Sequence, residues 1–199
     1  MGPASKPAGH ASFTRAELRS FTGATLPDLI GEGVRLLFVG INPGLRSAAV
    51  QGHFAPRGNR FYPALLRAGI TDHLIDASAG LTPGDRDYLL GQGVGITSLV
   101  ARATASAGEL GPAELAEGAR ILAGKVRRFR PRLVAILGVT AYRTAFGSPR
   151  AVLGRQPGDL AGARLWVVPN PSGRNAHAPL DTLAAAYREV AVAAGVPVR

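Results

Sequence analysis

Cysteine is absent from this 199-residue chain, which excludes disulfides, iron–sulfur clusters and thiolate zinc sites. Histidine is scarce as well. His10, His53, His73 and His177 show no HExxH-like spacing, so no metal is expected; no cofactor is expected either. No apolar run approaches the roughly 18 residues of a membrane span. The N-terminus has no secretory apolar segment, and Lys6 breaks the myristoylation pattern. The expectation is a soluble cytoplasmic protein with no membrane partner. Acidic groups are also few: 13 Asp and Glu stand against 23 Lys and Arg, a net charge of +10. A surplus of that size suits a polyanion, with nucleic acid favoured because no basic amphipathic helix stands out. A coding bias toward Arg, Ala, Gly and Pro would raise the same numbers, and both can hold.

What the chain does contain is a series of short apolar runs separated by helical periods. Val34–Val39, Val94–Val100, Leu133–Leu137 and Leu165–Val168 read as buried strands. Between and after them, Leu115, Ala119, Leu122, Val126 and Phe129 step as one face of a helix over 112–130. Leu180, Leu183, Tyr187, Val190 and Ala194 do the same before Gly195. Shorter helices are expected near 85–90 and 140–146, and one opening at Asn59, where Pro63 must stay in the first turn. The cluster Lys125, Arg127, Arg128 and Arg130 is read as favourable charge at a helix C-terminus.

Strands alternating with helices predict an α/β domain, a three-layer α/β/α sandwich around a mostly parallel twisted sheet. One domain over 26–199 is expected. Residues 1–25 read as an extension, disordered or partly helical. Within it Thr14-Arg15-Ala16-Glu17 fits a capping box for a helix ending by Gly23.

Two breaker-rich loops leave strands at their carboxyl ends, where parallel α/β sheets bind ligands. The first is Gly40-Ile41-Asn42-Pro43-Gly44-Leu45. The second is Asn170-Pro171-Ser172-Gly173-Arg174-Asn175. Neither fits a phosphate-cradling glycine motif or a nucleophile elbow, and neither holds a carboxylate pair. A hydrolase built on them lacks a strong base. It would suit a reaction whose leaving group departs early, so that a positioned water and charge stabilisation suffice.

Gly40–Leu45, Phe54, Asn59-Arg60-Phe61 and Asn170–Gly173, in this order and spacing, resemble the mismatch-specific uracil-DNA glycosylase / thymine-DNA glycosylase family from about Asp28 to Val192. The resemblance implies a monofunctional DNA repair enzyme that acts without metal. It would flip uracil from a G:U pair, or ethenocytosine or another damaged pyrimidine, out of double-stranded DNA and hydrolyse the N-glycosidic bond. Asn42 would orient the attacking water. Phe54 would stack on the flipped base, and Ile41 and Gly44 would line the pyrimidine site. Asn170 either hydrogen-bonds the base or caps its own turn. Ser47 would reach a phosphate, and Ser172, Gly173, Arg174 and Asn175 would enter the duplex. Asn59 and Arg60 are read as fixing the helix start rather than touching DNA.

Two positions depart from the bacterial pattern. Arg174 stands where an apolar wedge is usual, and Ser98 where a relative has Lys. Lys6, Arg15 and Arg19 could add weak DNA retention. The protein is expected to act as a monomer, associated with the nucleoid when on DNA. Two alternatives remain: a same-fold enzyme for hypoxanthine or xanthine, and a catalytically idle binder of damaged DNA.

Overall fold

The structure is a computed structural model and describes residues 12–173, 175 and 178–199. Five strands form one sheet in the order β2-β1-β3-β5-β4. They are β1 (Leu36–Gly40), β2 (Val94–Ser98), β3 (Leu133–Leu137), β4 (Gly154–Leu160) and β5 (Ala163–Val168). β1 pairs in parallel with β2 and β3, and β3 with β5. Only β4 runs antiparallel, in a hairpin with β5 that carries a register shift between Arg155 and Asp159.

The side-chain alternation of these strands splits the core in two. Leu36, Phe38, Leu133, Ala135, Leu137, Trp166 and Val168 face one way. They pack with α3 (Phe61–Arg67), α4 (Pro83–Gly91) and α7 (Leu180–Ala194). Leu37, Val39, Val134, Ile136, Leu165 and Val167 face the other way, onto α5 (Pro112–Phe129) and α6 (Val139–Ala145). Because both faces are covered, the strand interiors read as unbroken apolar runs. This is the expected three-layer α/β/α arrangement.

The helix expectations hold with small shifts at the ends. The 112–130 helix stops at Phe129, because Arg130 turns into the left-handed region at φ 50°. Pro63 lies in the first turn of α3, and Asn59 Oδ1 accepts the Phe61 N–H at 3.0 Å. The β2 run ends at Ser98, two residues early. Lys125 does not belong with the helix-end arginines. Its Nζ lies 2.6 Å from Asp28 Oδ2 and 2.9 Å from Thr97 Oγ1, and that hydroxyl donates to Asp28 Oδ1 at 2.5 Å. This triad ties the segment ahead of β1 to β2 and α5. Leu29 exchanges two backbone hydrogen bonds with Ile96, covering the free edge of β2.

Some elements were not read from the sequence. β4 contains Gly154, Pro157 and Gly158 and is mostly exposed; an edge strand has neither the apolar run nor the clean alternation of a buried one. α2 (Leu45–Ala49) is a single short turn of helix after the first loop.

The extension is helical where the capping box lies. α1 (Arg15–Ser20) carries both reciprocal Thr14–Glu17 bonds. Its exit is pinned by Gly23 N–H to Ala103 O and Ala103 N–H to Ala24 O, both under 3 Å (2.9 and 2.8 Å). Lys6 lies outside the described residues.

Candidate functional site

The sheet order reverses direction between β1 and β3, which opens a crevice above the carboxyl ends of the strands. A cleft of about 720 Å³ occupies that place. Its floor is made by Gly40–Gly44 after β1, Ser98 at the end of β2, Leu137 at the end of β3 and Asn170 after β5. One wall is the 53–59 segment with Phe54. Another is formed by α1 and Leu26, and a third by 104–107. The two loops singled out in the sequence therefore meet at one rim.

Asn42 is held by its amide nitrogen. Nδ2 lies 2.7 Å from Thr104 Oγ1, 3.1 Å from Arg102 O and 3.2 Å from Pro43 O. Thr104 spends its hydroxyl hydrogen on Ser106 O at 2.8 Å, so its oxygen faces Asn42 as an acceptor. This fixes which end of the amide is which. Oδ1 is left as the amide atom without a protein donor among the described residues, in a side chain that lines the cleft. The loop that grips Asn42 is itself anchored to the extension through the Thr25–Arg102 bridge and to the first loop through Thr104 N–H to Pro43 O. Thr104 and Arg102 were not found from the sequence: the 101–106 stretch has no period and no motif.

Phe54 adopts a left-handed backbone at φ 56°, a conformation that costs a bulky residue on the order of 1 kcal/mol or more. It is half-buried and stacks on Phe61, which is fully buried. Gly40 lies under the Phe54 edge. A Cβ there would sit 3.4 Å from Phe54 Cζ and 3.5 Å from Ser98 Oγ, so the missing side chain keeps room between ring and floor. His53, next to it, is buried in the wall. Its Nε2 pairs with Pro27 O at 3.0 Å, and burial pulls its pKa down to about 4 against the partial help of that carbonyl. It is therefore a neutral ring with Nε2 as donor.

Asn170 caps its own turn and also faces the cleft. Oδ1 accepts the Ser172 N–H at 2.9 Å, closing its own turn. Nδ2 has no protein acceptor among the described residues, and Asn170 lines the cleft beside Gly138, with Nδ2 3.4 Å from where a Gly138 Cβ would be. Ile41 lines the cleft, and its carbonyl accepts the Val100 N–H at 3.0 Å. Gly44 lines the cleft over open space.

Ser47, expected at a phosphate, lines the cleft from a buried position. It is 3% exposed, and its hydroxyl accepts the Ala55 N–H at 3.3 Å, shaping the Phe54 segment from beneath. Asn175 turns its amide inward to Asn170 O at 3.0 Å. Ser172 and Gly173 line the cleft, while Arg174 lies outside the described residues.

The rim carries Arg15, Arg19, Arg46 and Arg57, and no Asp or Glu lines the cleft among the described residues. A cationic mouth of this kind attracts a phosphate backbone. Among the described residues there is also no cluster of three or more His, Asp or Glu that could hold a metal ion, and no helix is long and apolar enough to cross a membrane. The cleft thus offers an oriented amide oxygen, a supported aromatic face, a free amide donor and positive charge. That set can hold a flat heterocycle and a water; it cannot deprotonate one strongly.

Comparison with known proteins gives a family and a related fold. The family model of the uracil DNA glycosylase superfamily matches residues 27–191. The fold is similar to that of a Methanosarcina acetivorans protein solved by solution NMR and described provisionally as a uracil DNA glycosylase. The two share 15% identity over 84% of this chain and 98% of that one, with a TM-score of 0.55.

Proposed function

The chain belongs to the uracil DNA glycosylase superfamily, and from that premise we propose that it excises uracil, above all uracil opposite guanine, from double-stranded DNA. The reading extends to ethenocytosine and related damaged pyrimidines, and to action as a monomer on the nucleoid. The observation that carries it is the Asn42 amide, locked through Nδ2 by three acceptors so that Oδ1 is the atom left for a ligand.

The chemistry suits an amide. A flipped uracil stacks on the free face of Phe54, and Asn170 Nδ2 donates to the pyrimidine edge. The bond between the sugar C1′ and N1 breaks with its electron pair going to the base, leaving an oxocarbenium-like sugar. Water held by Asn42 Oδ1 adds to C1′ and loses its proton to solvent, giving an abasic site, while the departed uracil anion takes a proton back from solvent. Because the sugar is already electron-poor, the water needs orientation more than deprotonation. The rate then depends on stabilising the departing anion, to which Asn170, the Ile41 N–H and the arginine rim contribute.

The test is incubation with end-labelled duplexes carrying one uracil, ethenocytosine, hypoxanthine or xanthine, followed by alkali to cut abasic sites. Cutting at uracil opposite guanine supports the proposal. Cutting only at a purine lesion reassigns the target base, and binding without cutting at stoichiometric protein makes the chain a damaged-DNA binder.

A further inference from the structure

We propose that Arg60 is a positioning residue that joins the base-stacking wall to the loop entering the duplex, and so controls how well paired uracil is extruded. The inference rests on the glycosylase reading above.

Arg60 directs donors from three of its nitrogens at a single loop. Its backbone N–H reaches Pro171 O at 3.0 Å. Its Nη2 reaches Ser172 O and Asn175 O, both at 2.7 Å, and Nη1 reaches Ala178 O at 2.6 Å. A planar fork can serve three carbonyls at once in this way; a lysine ammonium is one point. The arrangement has a cost. Nε is buried without a partner, and no carboxylate pairs with the guanidinium among the described residues. A half-buried cation satisfied by carbonyls alone would be a poor way to fix a helix start, where Asn59 Oδ1 already takes the Phe61 N–H.

The neighbours of Arg60 give the arrangement its use. Phe61 follows it and carries the Phe54 ring. Gly58 precedes it, and its carbonyl would lie 2.8 Å from a Cβ on Gly173, so loop and wall touch backbone to backbone there. Residues 58–61 therefore hold both the surface on which a base would stack and the loop that would fill the space it leaves. Extrusion is opposed by the pull of the partner base. A loop already held in shape avoids the ordering cost of entering the helix each time.

The experiment compares single-turnover excision of uracil opposite guanine with excision of uracil opposite a synthetic abasic site, where no partner base holds it. Arg60→Gln is expected to lose about 30-fold opposite guanine and about threefold or less opposite the abasic site. Arg60→Lys, which keeps the charge without the fork, is expected to recover part of that loss. Gly173→Ala, which pushes on the same junction from the loop side, should show the same selectivity, and it decides the matter should Arg60→Gln not fold. Equal losses on both substrates, or no loss on either, overturn the inference. If the wild-type protein cuts neither substrate, the glycosylase reading falls and takes this one with it.

Discussion

Phe54 stacks on Phe61 with ring centroids 4.1 Å apart and planes 27° from parallel, so a strained loop residue borrows the rigidity of a core aromatic. One ring face is thereby committed to the protein and the other is left for the cleft. Phe54→Leu keeps most of the apolar volume and removes the flat face. Its expected cost is about 1 kcal/mol of stability and about a tenfold loss in uracil excision. Urea denaturation and single-turnover kinetics read the two effects separately. Wild-type excision by the variant would mean that no base stacks on Phe54.

Thr104 sets the direction of the Asn42 amide, because its own hydrogen is used by Ser106 O. Thr104→Val keeps the shape and removes the acceptor, freeing the amide to rotate. The expected result is an excision rate about tenfold lower with DNA affinity unchanged, while Thr104→Ser stays near wild type. A Thr104→Val enzyme as fast as wild type would show that the amide is held well enough by the two carbonyls alone.

His53 makes stability depend on mildly acid pH. Its folded pKa of about 4 lies below the ordinary 6.5, chiefly through burial, so between those values the unfolded chain binds more protons than the folded one. Stability must therefore fall as pH drops through that window and is fully recovered above it. From pH 6.5 to 5, where the lowered carboxylates are still silent, the loss is on the order of 2 kcal/mol. His53→Gln should flatten that slope in urea titrations at the two pH values. A wild-type curve with no slope there would mean that the ring is not held neutral.

Much of this architecture is legible in the residue pattern alone. β1, β3 and β5 are buried on both faces and so announce themselves as apolar runs, and α5 and α7 keep a helical period because one face of each is core. Asn42 and Asn170 stood out because glycine and proline loops after buried strands mark a ligand site in a parallel sheet, whereas Phe54 stood out only through the family resemblance. β4 was hidden by being an exposed edge with Pro157 in it. The grip on Asn42 was hidden for another reason. Arg102 contributes a carbonyl, which any residue has, and Thr104 contributes a hydroxyl some sixty positions downstream (|i−j| is 62). Arg60 was correctly placed at a helix start, but its guanidinium acts more than a hundred positions away, where |i−j| is 112 to 118. Periodicity and capping rules report local order. They are blind to a side chain that satisfies distant backbone.

On this reading a water oriented by Asn42 completes the cleavage of the bond between uracil and deoxyribose. It is tested most directly by incubating wild type and Asn42→Ala with a labelled G:U duplex, then exposing abasic sites with alkali, with binding measured in parallel. The wild type is expected to yield a cut strand, and Asn42→Ala to keep its DNA affinity with excision lower by a factor of about 100 or more. An uncut strand with stoichiometric wild type, or an Asn42→Ala variant that cuts as fast as wild type, would contradict it.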